Sequence, residues 1–248
     1  MKMNRKTDTI NRRKALRDYR TNTRQLAISS CLGLLLLLTG CDTLFQSSFD
    51  SNTIGAPPSH NQATGTVNVN ADPGTVVVVS GAGASGGKWV KITRLAKFEE
   101  VLPAMQGNLS SFRGDGSYTV LAVLYIPSGS GLATLQFEGF GQAVTDYDSF
   151  LHLDFMQNNT VRINDDNTQV FGTFPRNQSF TVAVTLDITA SSATAHIGLF
   201  GNGAAGSMNY AVPRLDLARQ FGAVRFWMGF PWTGSFYVTQ IIVTRSKS

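Results

Sequence analysis

Three histidines, two cysteines and a charged fraction of 15% in 248 residues leave this chain short of the side chains most chemistry uses. Both cysteines, Cys31 and Cys41, lie in the first sixth of the chain, so nothing beyond them can form a disulfide or a thiolate metal site. The histidines, His60, His152 and His196, are too dispersed to form a metal motif by spacing alone. No Gly-x-Ser-x-Gly elbow is present, which removes the usual presentation of a serine nucleophile. The glycine run 81–87 ends on Lys88 without a Gly-Lys-Ser/Thr sequence or a helical pattern after it, so it reads as a turning loop and not a phosphate cradle. Helical periodicity is also scarce: only Leu215 to Phe221 suits a short helix, ended by Gly222.

One long apolar run exists, Leu26 to Leu38. Its 13 residues fall short of the roughly 20 that cross a bilayer as a helix. Nine lysines and arginines precede it, and Leu38-Thr39-Gly40-Cys41 closes it. Leu38 supplies a branched apolar position, Thr39 and Gly40 small positions, and Cys41 a thiol. The segment resembles a bacterial lipoprotein signal peptide. The resemblance implies cleavage after residue 40, acylation of Cys41 as the lipidation site, and a membrane-anchored protein facing the periplasm or the exterior. Asn11-Arg12-Arg13-Lys14-Ala15-Leu16 is weakly similar to a twin-arginine signal, and the export route stays open. Removing residues 1–40 takes nine basic and two acidic residues from totals of 21 and 16, which turns a net charge of +5 into −2. A nucleic-acid partner loses its electrostatic footprint with that leader.

Residues 41–63 are rich in Asp, Ser, Asn, Thr and Gln and hold Pro57-Pro58, a composition that predicts a tether. Residues 64–248 are then one domain, large enough to bury a substantial core. The dominant period there is two. Phe180, Val182, Val184, Leu186 and Ile188 share one face of a strand, and Thr181, Ala183, Thr185 and Asp187 the other. Leu151, Leu153 and Phe155 alternate with His152 and Asp154, and Val161 and Ile163 flank Arg162. Asn158-Asn159 and Asn164-Asp165-Asp166-Asn167 are turn sequences between these strands. Ten or so short strands with glycine-rich connections predict an all-β fold of two packed antiparallel sheets.

From Phe150 to Gly201 the chain runs through a strand ending in Asp154-Phe155, an Asn-rich turn, a strand, a polar hairpin, Gly172 and the strand Phe180 to Asp187. Phe236-Tyr237-Val238-Thr239 suits a returning strand. This rhythm resembles concanavalin A-like jelly-roll sandwiches, and the resemblance implies a glycan-binding, structural or glycosidase module. Glycosidases of that form carry Glu-x-Asp-x-Glu or Glu-x-Asp-x-x-Glu on one strand. Here only Asp146-Tyr147-Asp148 and an isolated Glu138 approach that pattern.

No catalytic set is therefore assigned from sequence. His152 beside Asp154 can act as a base but lacks an identified nucleophile, and Asp154 and Asp187 read as solvated acids. Residues 164–167 carry hard oxygen ligands suited to Ca2+, yet they read first as a turn, and no metal ligand or cofactor is assigned. The strongest binding feature is aromatic. Trp227 and Trp232 flank a Gly-Pro bend, with Tyr237 beyond it, and flat rings can cover the apolar face of a sugar. The leading expectation is a noncatalytic envelope module that binds a glycan or an envelope protein. The alternatives are a glycan-active hydrolase with an atypical carboxylate pair and a purely structural lipoprotein.

Overall fold

The computed structural model describes residues 41–82, 85–95, 102–111, 114–140, 147–229 and 232–246. The expected signal segment, Asp146 and the Phe230-Pro231 pair of the aromatic bend lie outside these residues. Sixteen strands and one short helix are present among them. In chain order the strands are β1 (Cys41–Ser47), β2 (Asn61–Gln62), β3 (Gly65–Asn70), β4 (Val76–Ala82), β5 (Ser85–Arg94), β6 (Ala104–Asn108), β7 (Gly116–Tyr125) and β8 (Ala133–Phe140). They continue as β9 (Tyr147–Phe155), β10 (Thr160–Ile163), β11 (Asp166–Thr173), β12 (Ser179–Ile188), β13 (Ala193–Phe200) and β14 (Ala205–Ala211). Helix α1 (Leu215–Ala218) then leads to β15 (Phe221–Met228) and β16 (Gly234–Ser246).

The all-β expectation holds, and its clearest strand is β12. There Phe180, Val182, Val184, Leu186 and Ile188 are buried while the residues between them are not. Asn164 and Asp165 turn the chain from β10 into β11 at φ 51° and 59°, a left-handed pair that their short polar side chains tolerate.

Two separate packed sheets, the concanavalin A-like jelly roll, are not what forms. The hydrogen-bonded order is continuous: β2-β3-β6-β15-β8-β9-β10-β11-β14-β13-β12-β7-β16-β5-β4, with β1 paired to β16. One antiparallel sheet curls into a nearly closed barrel-like form. Its two halves meet at β11, which pairs with β10 on one side and with β14 on the other. Glycines allow that join. Gly172 faces Gly206, whose φ is +147°, and a Cβ on Gly206 would lie 2.5 Å from the Gly172 Cα. Register shifts along β10 and β11 add the local twist that carries the sheet around the corner.

The curl puts the apolar faces of both halves against one core. Phe155 of β9 packs 5.6 Å from Phe180 of β12, and Tyr118 of β7 meets Phe221 of β15 edge-on at 5.7 Å. Each such ring, fully buried, contributes about 1.5–3 kcal/mol of transfer free energy. Residues 41–63, expected as a tether, enter this core as well: Leu44, Phe45 and Phe49 are buried, and Gly55 and Ala56 exchange backbone hydrogen bonds with Val78. Among the described residues no helix is long and apolar enough to cross a membrane.

Candidate functional site

Alternation gives β8, β9 and β15 an outer face as well as a core face. Leu135, Phe137, Leu151, Leu153, Phe155, Val224 and Phe226 point inward and are buried. Thr134, Gln136, Glu138, His152, Asp154, Arg225 and Trp227 therefore share the other side. Register lines them up. Trp227 of β15 stands opposite Thr134 of β8, Thr134 opposite Asp154 of β9, and Asp154 opposite Arg162 of β10.

Asp154 was expected to be solvated, but it is 1% exposed. Its Oδ1 accepts a hydrogen bond from the Thr134 hydroxyl at 2.9 Å. Its Oδ2 accepts from Arg162 Nε and from the Asp165 backbone N–H, each at 3.3 Å. Burial pushes the Asp154 carboxyl above the usual aspartate range, against the pull of His152, Thr134 and Arg162. His152 Nε2 lies 3.6 Å from Asp154 Oδ2 and 3.2 Å from Asp165 Oδ2. Arg162 Nη2 holds Asp165 at 2.8 Å. The β10–β11 turn fixes the geometry, because Asn164 accepts from the His152 backbone N–H at 2.8 Å and returns its own N–H to the His152 carbonyl.

One ligand atom each from His152, Asp154 and Asp165 lie within 4.8 Å of one another, so the three can hold a metal ion. The same arrangement is a carboxylate pair of unequal character, one member buried with raised proton affinity and the other exposed at the surface. Environments that differ in this way separate acid and base roles. This cluster overturns the ranking that put a noncatalytic module ahead of an enzyme. The His152–Asp154 proximity was legible in the sequence. Asp165 was read first as turn and second as an oxygen ligand for Ca2+, without His152 and Asp154 beside it, and Arg162 was missed, read as a residue between two apolar neighbours.

A second buried acid lies on the same face. Glu138 is fully buried, its Oε1 accepts from Gln136 Nε2 at 2.8 Å, and Arg225 Nη1 is 3.6 Å away. Its Oε2 has no hydrogen-bond partner among the described residues. Desolvation raises its pKa, partly offset by Arg225 and Gln136.

The aromatic residues singled out in the sequence have different neighbours. Trp227 is half-buried on the outer face and donates its indole N–H to Gln136 Oε1 at 2.9 Å. Trp232 packs over Gly131 and, with Met156, Gln157 and Asn158, lines an open hollow of about 400 Å³. Tyr237 is on β16, edge-on to Tyr125 of β7 at 5.5 Å.

No protein-family model matches the chain, and no curated protein matches it. Among solved structures it is similar to the catalytic domain of the glycoside hydrolase family 131 protein from Coprinopsis cinerea. That likeness has a TM-score of 0.51 and 15% identity, covering 81% of this chain and 93% of that one. It is also similar to a mutant of Trypanosoma rangeli sialidase displaying trans-sialidase activity, with a TM-score of 0.50 and 13% identity over 83% of this chain. The match takes in 31% of the sialidase, so this chain spans about a third of that protein. Arcelin-5, a lectin-like defense protein from Phaseolus vulgaris, aligns with a TM-score of 0.47 and 8% identity, over 84% of this chain and 99% of that one. At these identities the first two likenesses are ones of fold.

Proposed function

We propose that the chain is a glycan-active hydrolase whose working groups are Asp165 and His152, positioned by Asp154 and Arg162. The observation that carries this reading is the gathering of His152, Asp154 and Asp165 within 4.8 Å, with one carboxyl buried and the other exposed. Glycosidic bonds are commonly cleaved by two acids of opposite protonation, about 5–5.5 Å apart in retaining and about 6.5–9.5 Å apart in inverting enzymes. This cluster is tighter than either, so here the acid acts through His152. Here exposed Asp165 supplies the negative group beside the sugar ring. The His152–Asp154 pair gives a proton to the departing oxygen as the C–O bond breaks. Water then adds its oxygen to the anomeric carbon, and its proton returns to the pair. The catalytic domain of the Coprinopsis cinerea glycoside hydrolase, similar in fold, is compatible support.

Trp227, Trp232 and Tyr237 enter the proposal as ligand contacts. Trp227 shares the Asp154 row and would meet a sugar over the cluster, while Trp232 and Tyr237 would meet one from separate surfaces. Acylation of Cys41, with lipid anchoring in the cell membrane or outer membrane and the folded part in the periplasm or outside, is a separate proposal supported by residues 38–41. Intact mass of the membrane fraction tests it: a mature chain without acyl chains on Cys41 would overturn it.

The test of the hydrolase reading is the release of reducing ends from a panel of polysaccharides. Parent protein should release them from one of the panel, and His152→Ala and Asp165→Asn should not. A well-folded parent inert on every glycan, or variants as active as the parent, would sink the reading. The second reading is a metal site on the same three residues, with Ca2+ the weaker choice of ion because a histidine nitrogen is among the ligands. Arg162, already neutralising both carboxylates, weighs against a cation there. Activity that survives exhaustive chelation would exclude a metal-dependent mechanism.

A further inference from the structure

The polar face continues well beyond the His152 cluster. Register places Asn68, Gln106, Arg225, Gln136 and His152 opposite one another on β3, β6, β15, β8 and β9, five successive strands. Strands lie about 4.8 Å apart, so the row is about 19 Å long. Each of the five is exposed or partly exposed, while Met105, Val224, Phe226, Leu135, Phe137, Leu151 and Leu153 beside them in the chain are buried in the core. Two residues along β8 from Gln136 stands Glu138, fully buried, with one carboxyl oxygen unpartnered among the described residues. A buried polar oxygen left without a partner is costly and marks a place where a ligand group can complete the network.

We propose that this row is the binding track of a linear glycan, laid across the strands from β9 towards β3, and that a hydroxyl of the glycan reaches Glu138 Oε2 once the Gln136 and Arg225 side chains beside it turn to the ligand. The inference rests on the hydrolase reading only for what happens at the His152 end. The chemistry of the row selects the ligand. Side-chain amides suit a chain of hydroxyls because each carries two N–H donors and an acceptor with two lone pairs. Gln136, which bonds Trp227 and Glu138, and Gln106, which donates to Asn108, each keep a second N–H to give. A hydroxyl can donate to Glu138 when it is ionised and accept from it when protonated, so it satisfies the site in either state. A metal ion or an amine would meet the Arg225 guanidinium 3.6 Å from the same carboxyl. Trp227, tied to Gln136 through its indole N–H, adds a ring beside the row. β3, β6, β15 and β8 lie on one side of β9, which carries His152 and Asp154, with β10 and its turn on the other.

The experiment is calorimetric titration of the full chain, carrying Asp165→Asn to prevent turnover, with cello-, laminari-, malto-, xylo- and manno-oligosaccharides of increasing length. Affinity for one series should rise with length. Gln106→Ala, three strands from His152, should weaken the long members about tenfold and leave the shortest unchanged, the loss of one ligand hydrogen bond. Glu138→Gln should weaken binding about tenfold with the fold intact by circular dichroism. Length-independent affinity, no binding of any series, or unchanged affinity in both variants would overturn the track. Length-dependent binding by a protein that hydrolyses nothing would refute the hydrolase reading and keep the track. Hydrolysis by the parent with both variants unaffected would do the reverse.

Discussion

Two histidine–aspartate pairs sit on outer faces of the same sheet and have opposite fates. His196 of β13 and Asp187 of β12 approach to 3.0 Å, but their side chains are 44% and 48% exposed, and Asn209 is the other partner of the imidazole. His152 and Asp154 of β9 are 20% and 2% exposed, with Arg162, Thr134 and Asp165 closing around them. Residue types are alike, although one pair spans β12 and β13 and the other lies along β9. Surroundings make the difference: a neighbouring strand that brings a guanidinium and a turn that folds a second carboxylate over the first. A solvated pair in water gains little, while the enclosed one must be satisfied group by group, and burial pushes the Asp154 carboxyl up.

Activity should separate the pairs most sharply. His152→Ala and Asp165→Asn should each lower hydrolysis by about 10²–10⁴-fold, the usual contribution of a placed acid or base. His196→Ala should leave the rate unchanged. Equal losses at His152 and His196, measured by reducing-end release, would mean that burial does not distinguish the two.

Stability should separate them next. Asp154→Ala leaves the Thr134 hydroxyl, the Asp165 backbone N–H and the Arg162 Nε–H without their acceptor, and should cost about 3 kcal/mol. Chemical denaturation would read it. A loss under about 1 kcal/mol would show that Arg162 finds water or Asp165 instead.

The sequence carried much of this comparison but not its outcome. Alternation alone put His152 and Asp154 on a shared outer face and Phe180 to Ile188 half in the core, and the Asn164-Asp165 turn was readable from its short polar side chains. Burial of Asp154 was not readable, because it follows from pairing registers with β8 and β10 that no local pattern specifies. Glu138 looked isolated for the same reason: Arg225, its charged neighbour, is far away in the chain and arrives through β15. The single continuous sheet was hidden as well. Gly172 reads as an ordinary strand or turn glycine until Gly206 is found against it.

Glu138 gives a pH-dependent test within the enclosed region. Its folded pKa is raised by burial, so the folded state holds this proton more tightly than the unfolded chain does. The resulting stabilisation is fully present below the ordinary glutamate value of 4.5 and is lost as pH rises through the folded value. Glu138→Gln lacks that titration. Thermal melts should show the parent losing ground to the variant as pH increases from 4.5, by less than the Asp154 loss. A difference that is flat with pH would mean that Glu138 is hydrated in the folded protein.

The smallest effect is expected at Asp187. Its carboxylate and the His196 imidazole are both about half exposed, and the imidazole keeps Asn209 as a hydrogen-bond partner when the acid is removed. Asp187→Ala should therefore change stability by about 0.5 kcal/mol or less, and added salt should shrink even that, since screening acts fully on exposed charges. The cross-strand registers of β12 with β7 and β13 do not depend on this side chain, because Val184, Leu186 and Ile188 fix them through the core. Denaturation of Asp187→Ala at low and high salt would check both points. A loss near that of Asp154→Ala, unaffected by salt, would mean that the exposed pair is structurally coupled after all and would remove enclosure as the property that sets the two sites apart.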